Sequence, residues 1–133
     1  MIVRVEGRGE ELLKGKNFCM VATLRADGSV QSVPVWVDVE DGCPLLNSAE
    51  GRAWPANLER DPRITLTVPD WENPYEWLAV RGRVGARTYE GADAHIDKLA
   101  KKYLGADEYP LRRAGEQRVI LRVDPDYVRV FGG

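Results

Sequence analysis

The sequence predicts a mainly β fold, an antiparallel sheet long enough to curl into a barrel with helices at its periphery. Two observations carry this. Apolar residues recur mostly with period two between turn signals, and only two or three segments show a helical period instead. A length of 133 residues makes one domain over 1–133 the default and allows a real core. With 44% apolar and 30% charged residues, the composition is that of a globular chain.

GEELLKG (9–15) reads as a first helical turn. NFCMVATL (17–24) sets Phe18, Met20, Ala22 and Leu24 against Cys19, Val21 and Thr23, and ADGS (26–29) closes a hairpin through the positive φ of Asp-Gly. VQSVPVWVDV (30–39) reads as one strand, with Val33, Val35, Val37 and Val39 on one face and Ser32, Pro34, Trp36 and Asp38 on the other. A turn at EDG (40–42) precedes a strand at PLLNSA (44–49). A short helix is expected from Pro55, which suits a first helical position, to Arg60. RITLTV (63–68), EWLAVRGRVGAR (76–87) and one or two strands within 117–131 complete the sheet. Between them ADAHIDKLAKKYLG (92–105) carries Ile96, Leu99, Ala100 and Tyr103 on one stripe, with Gly105 at C′. His95 and Lys102 fall off that stripe and read as solvated.

Several function classes recede. Nineteen basic and 21 acidic residues leave a net charge of -2, which argues against neutralising many nucleic-acid phosphates. No apolar run approaches the roughly 20 residues of a membrane span, and MIVRVEGRGEE has no signal-peptide core. Cys19 and Cys43 form no CxxC pair, Cys19 reads as buried and inert, and a cytoplasmic setting is expected. A single histidine leaves no metal set and no Ser/His/Asp triad, and no phosphate-loop or dinucleotide glycine pattern occurs. Catalytic residues are not assigned. If the chain is an enzyme, a cofactor carries the hard chemistry.

Four stretches could serve such a cofactor. Ser48, Gly51 and Arg52 precede the short helix, where donors at an open N-terminus and a guanidinium suit an anion; a capped helix with a solvated arginine is the plainer reading. Pro34 deletes a ladder donor inside a strand, so that strand is an edge, bulged, or facing a ligand. With Trp36 it offers a flat surface to a ring or to a partner subunit. WENPYEW (71–77), with Trp71 and Trp77, either covers a ring over the barrel mouth or packs on the core. Lys98, Lys101, Lys102, Arg112 and Arg113 form a basic run, either a solvated face or a track for a polyanion.

Taken together, FCMVATLRADGSVQSVPVWVD (18–38) resembles the opening hairpin of the split-barrel flavin and deazaflavin reductases in the pyridoxamine-phosphate-oxidase-like superfamily. NSAEGRAWPANLERDPRITLTV (47–68), NPYEWLAVRGRV (73–84) and ADAHIDKLAKKYLG followed by YP and RRAGEQRVILRV resemble consecutive blocks of its F420-dependent branch, the match covering about 12–131. The resemblance implies a split β-barrel homodimer with cofactor sites at the subunit interface. It also implies an F420H2-dependent oxidoreductase that passes hydride from the reduced deazaflavin to an unsaturated organic substrate. FMN is the alternative cofactor, and a non-catalytic carrier the alternative role. By the same resemblance Gln31, Val33, Pro34, Val35 and Trp36 line the deazaflavin, while Asn47, Ser48 and Arg52 hold its ribityl and phosphate part. Trp54 stands where relatives usually carry a phosphate-binding lysine. Asn57, Trp71, Trp77 and Tyr109 complete the expected site, and a polyglutamyl tail would run toward the basic groups, Arg112 and Arg113 included.

Overall fold

The computed structural model describes residues 3–132; Met1, Ile2 and Gly133, part of the expected 1–133 domain, lie outside the described residues. In chain order the described elements are α1 (Gly7–Lys14), β1 (Cys19–Leu24), β2 (Val30–Val35), β3 (Asp38–Glu40), β4 (Cys43–Ala49) and α2 (Ala53–Arg60). They continue with β5 (Arg63–Pro69), β6 (Trp77–Thr88), α3 (Ala92–Leu104) and β7 (Arg118–Phe131). The strands form one sheet in the order β2-β1-β5-β6-β7-β4-β3, every neighbouring pair antiparallel.

The strand expected over 30–39 is in fact two, and they are the opposite edges of this sheet. From Val35 to Asp38 the chain takes three Cα steps, at most about 11 Å. The edges of a flat sheet of this size would lie about 29 Å apart, at about 4.8 Å per strand. The sheet is therefore curled until its edges approach, a barrel left open at a seam formed by Trp36 and Val37.

Helix α3 seals the seam. The Tyr103 hydroxyl accepts the Val37 N–H at 3.1 Å and donates to the Asn17 carbonyl at 2.6 Å. Lys102 Nζ donates to the carbonyls of Val37 and Leu13, each at 2.7 Å. The backbone groups that a closed ladder would have paired thus find partners on α3. This corrects the solvated reading of Lys102, whose half-buried ammonium is pushed down by desolvation to about 8.

Inside the barrel, Val21, Leu46, Leu66, Val80 and Leu121 are fully buried, and Leu12 and Leu13 of α1 close one end. The valine face behaves as its alternation predicts: Val37 is in the core, and Val33, Val35 and Val39 pack against it. Cys19 is fully buried among these side chains, and burial pushes its thiol far up, as expected of an inert cysteine. Pro34 lies on edge strand β2, where no outer neighbour needs its missing donor.

Local chemistry explains the turns. Asp41 and Gly42, at φ 53° and 74°, make the two-residue β3–β4 turn with both central residues left-handed. The expected hairpin joins β1 and β2. Only Gly28 takes positive φ (86°) there, after a tight turn closed by Gly28 N–H on the Arg25 carbonyl at 2.9 Å. Helix α2 begins at Ala53, so Pro55 occupies its third position rather than its first; it is still within the turn that has no intrahelical acceptor to lose. Strand β7 is a single long strand, with a register shift where Gly82 faces Pro125.

A Cβ on Gly82 would overlap the Asp124 carbonyl and approach Pro125 Cα to 2.9 Å, both backbone atoms that cannot rotate away. Gly82→Ala is expected to destabilise the fold by about 1–3 kcal/mol, the range for overpacking a filled site. A urea midpoint equal to wild type would contradict this.

Candidate functional site

On the α3 side of the seam lies a cleft of about 230 Å³. Strand β2 and the seam bring Pro34, Val35 and Trp36 to it, and β4 brings Asn47 and Ser48. The start of α2 contributes Arg52 and Trp54, and the α3–β7 connection Tyr109 and Leu111. Phe18, Ile96 and Arg118 complete the lining.

The apolar wall is built by stacking. The Trp36 ring lies parallel to Tyr103, centroids 5.2 Å apart at 5°, and Tyr109 meets it edge-on at 5.9 Å. Trp54 is only 7% exposed and belongs to the barrel core, and its indole forms part of the cleft wall.

The polar corner is held by a buried guanidinium. Arg118, 4% exposed, donates through Nε to Asn47 Oδ1 and through Nη1 to Glu116 Oε1, each at 3.0 Å. Its guanidinium lies over the Tyr109 ring, 5.1 Å from the centroid. Glu116 also pairs with Arg52 at 3.5 Å, so one carboxylate spaces two cations along the cleft. Ser48 is fully buried, and its hydroxyl is the one buried side-chain polar atom without a hydrogen-bond partner among the described residues. Arg52 is the N-cap residue of α2 but caps nothing with its side chain, which leaves its guanidinium to the cleft and to Glu116.

Eight of the expected site residues therefore come together: Pro34, Val35, Trp36, Asn47, Ser48, Arg52, Trp54 and Tyr109. The rest lie off this cleft. Gln31 accepts from Asn57 Nδ2 at 2.9 Å beneath the β1–β2 hairpin, and Val33 packs on the core. Trp71 is half exposed beside Phe18, with ring centroids 5.0 Å apart, at the edge of the cleft. Trp77 stacks on Phe131 at 4.2 Å, within the β6–β7 pair. Arg112 is tied to Asp93 and Asp97 at 3.1 and 2.6 Å, while Arg113 is exposed. Phe18, Ile96, Leu111 and Arg118 line the cleft but were not among the expected site residues. The only local signal for Arg118 is a charge directly before the apolar run Val119–Leu121.

His95 corrects a second expectation. Its side chain is 9% exposed, with Nδ1 at 3.0 Å from Asn47 Nδ2 and Nε2 at 3.0 Å from Asp38 Oδ2. Burial opposes ionisation of Asp38, but hydrogen bonds from His95, the Val39 N–H and Lys98 outweigh it and hold the carboxyl well below its usual 3.8. A carboxyl lowered in the folded state adds stability above its unfolded value, and that stability is lost as pH falls through the range below. Wild type should therefore lose more stability between pH 5 and pH 3, read by urea unfolding, than Asp38→Asn does. Parallel losses in the two proteins would show that Asp38 is not so held.

A larger depression, about 680 Å³, lies on the outer sheet face and includes Arg63, Arg81, Arg83 and Tyr127. None of the expected site residues lines it. Groups of metal-binding side chains are absent among the described residues, as are helices long and apolar enough to cross a membrane.

A curled antiparallel sheet open at one seam, with an aromatic and arginine-lined cleft beside it, defines a split β-barrel protein. The chain belongs to the pyridoxamine 5'-phosphate oxidase family, matching it over residues 5–132. Members are generally flavin-binding oxidoreductases. Among solved structures it is similar to an F420 reductase, with 27% identity and a TM-score of 0.81 over 94% of this chain and 98% of that one. A conserved hypothetical protein of Mycobacterium tuberculosis shares the fold at 20% identity and a TM-score of 0.68, over 98% of this chain and 86% of that one. General stress protein 26 of Bacillus anthracis does so at 16% and 0.64, over 91% and 88%. No curated protein matches the chain.

Proposed function

We propose that the protein binds the deazaflavin F420 in this cleft and acts as an F420H2-dependent reductase of an unsaturated organic substrate. The observation that carries the reading is the pairing of a flat aromatic wall with a corner of unspent donors. Ser48 Oγ is buried without a partner, and a ligand hydroxyl or phosphate oxygen would relieve the cost of that orphaned group. The donor set fits the cofactor. Pro34 and Trp36 would hold the ring. Asn47 and Ser48 would hold the ribityl chain, and Arg52 at the α2 N-terminus the phosphate. When bound and reduced, F420 supplies the hydride. The chain's own residues contribute orientation and exclusion of water. A protein named F420 reductase at 27% identity supports the choice of deazaflavin over FMN.

The cleft holds about 230 Å³ and is open on one side, and in the proposed homodimer a second copy would cover that side and complete the site. The outer sheet face suits that role. It carries the Trp77–Phe131 stack, Arg81 over Tyr127 at 4.0 Å, and Val30 at 59% exposure. Sedimentation at micromolar concentration should give a homodimer; a monomer there would overturn the shared site. A cytoplasmic location belongs to the same proposal.

The test of function is expression in a host lacking F420. A colourless protein that saturably quenches added F420 fluorescence, and turns over F420H2 with an acceptor from a panel of unsaturated compounds, supports the proposal. A yellow protein holding FMN and indifferent to F420 refutes it. Quenching without turnover leaves a carrier.

A further inference from the structure

We infer that His95, backed by Asp38, is a positioning residue for the cleft: it fixes the Asn47 amide that aims Arg118. This rests on the cofactor reading above and deepens it.

Hydrogen-bond direction alone orders the chain of contacts. Arg118 Nε can only donate, so the Asn47 atom facing it at 3.0 Å is the carbonyl oxygen. The Ala92 carbonyl can only accept, so the atom 3.0 Å from it is the Asn47 nitrogen. Two one-way partners thus agree on the orientation of an amide that is otherwise ambiguous. The same Asn47 nitrogen faces His95 Nδ1 at 3.0 Å, and both its protons are donors. Nδ1 must therefore accept, and the ring proton sits on Nε2, where Asp38 Oδ2 receives it at 3.0 Å. Lys98 from α3 also donates to Asp38, at 3.1 Å.

The result is a directed relay, Asp38 to His95 to Asn47 to Arg118, that starts on β3 and ends in the cleft. Glu116 takes Arg118 Nη1, and Nη2 has no protein acceptor among the described residues. That edge of the guanidinium is what the relay holds ready for a ligand oxygen. If Asn47 flipped, two N–H groups would face each other at Arg118, and the guanidinium would lose its anchor.

The chain has one histidine, so its ring nitrogens are read without assignment in a long-range proton–nitrogen spectrum of the intact protein. The expected wild-type result is the Nε2–H tautomer. In Asn47→Asp two acceptor oxygens replace the amide, so the nitrogen facing them should carry a proton and the wild-type Nε2–H pattern should be lost; its persistence would overturn the relay. The groups bearing on it are Asp38, Lys98, Glu116 and Arg118. F420 titration supplies the second readout. His95→Ala should bind about tenfold more weakly. His95→Asn, which can place an oxygen where Nδ1 accepts, should bind within about threefold of wild type, the two variants having matched melting curves. An Nδ1–H tautomer in wild type, or equal binding by His95→Ala, overturns the positioning role alone. An Nε2–H tautomer in a wild-type protein that takes up no F420 instead refutes the cofactor reading, and the role with it.

Discussion

Replacing Arg118 by leucine is expected to destabilise the protein by about 3–5 kcal/mol, the usual cost of removing one partner from a buried ion pair. The Arg118 and Glu116 side chains are 2% and 7% exposed, so water cannot take over for the lost guanidinium. Arg52, 3.5 Å from Glu116 and half exposed, still offsets part of the stranded charge, which places the loss toward the lower figure. For a domain of this size that is about 10 °C in Tm. The double variant Arg118→Leu/Glu116→Gln should recover part of the loss, because the stranded carboxylate is gone. Arg118→Lys should recover little, since an ammonium cannot serve Asn47 and Glu116 from one fork. Additive losses in the double variant, or a near-normal Tm in the single one, would contradict the assigned pairing.

Arg52→Ala is expected to separate binding from folding. Its side chain is 45% exposed, its single ion partner is at 3.5 Å, and it makes no capping hydrogen bond, so stability should change by less than about 1 kcal/mol. A charge-assisted contact to phosphate contributes about 1.5–3 kcal/mol, which makes F420 affinity about tenfold to hundredfold weaker. Unchanged affinity would remove the phosphate from this helix. Trp54→Lys, which adds a cation beside the cleft, is a poorer probe. The indole is 7% exposed and part of the core, so that change also removes buried apolar surface.

Period-two alternation made β1, β5 and β6 legible, and the stripe of Ile96, Leu99, Ala100 and Tyr103 made α3 legible, because each pattern is local. The break at Trp36 and Val37 was not. The valines alternate straight through it, and only closure of the sheet decides that the chain leaves one edge there and joins the other. The site shows the same division. Pro34, Trp36, Ser48 and Arg52 stand in recognisable stretches and meet in the cleft. His95, Lys102 and Arg118 were misread or missed because their partners lie 48, 65 and 71 residues away. A charge beside an apolar stripe looks solvated until the opposing strand brings the carbonyl or amide that buries it.

The most direct test of the central claim is an F420 fluorescence titration of wild type and Arg52→Ala, with both proteins from a host that makes no deazaflavin. The account predicts saturable quenching by wild type at one F420 per chain, and a binding curve displaced at least about tenfold by the substitution while the melting curve stays in place. Wild-type protein that leaves F420 fluorescence unchanged at high micromolar concentration, or a variant whose curve overlays it, would contradict the account.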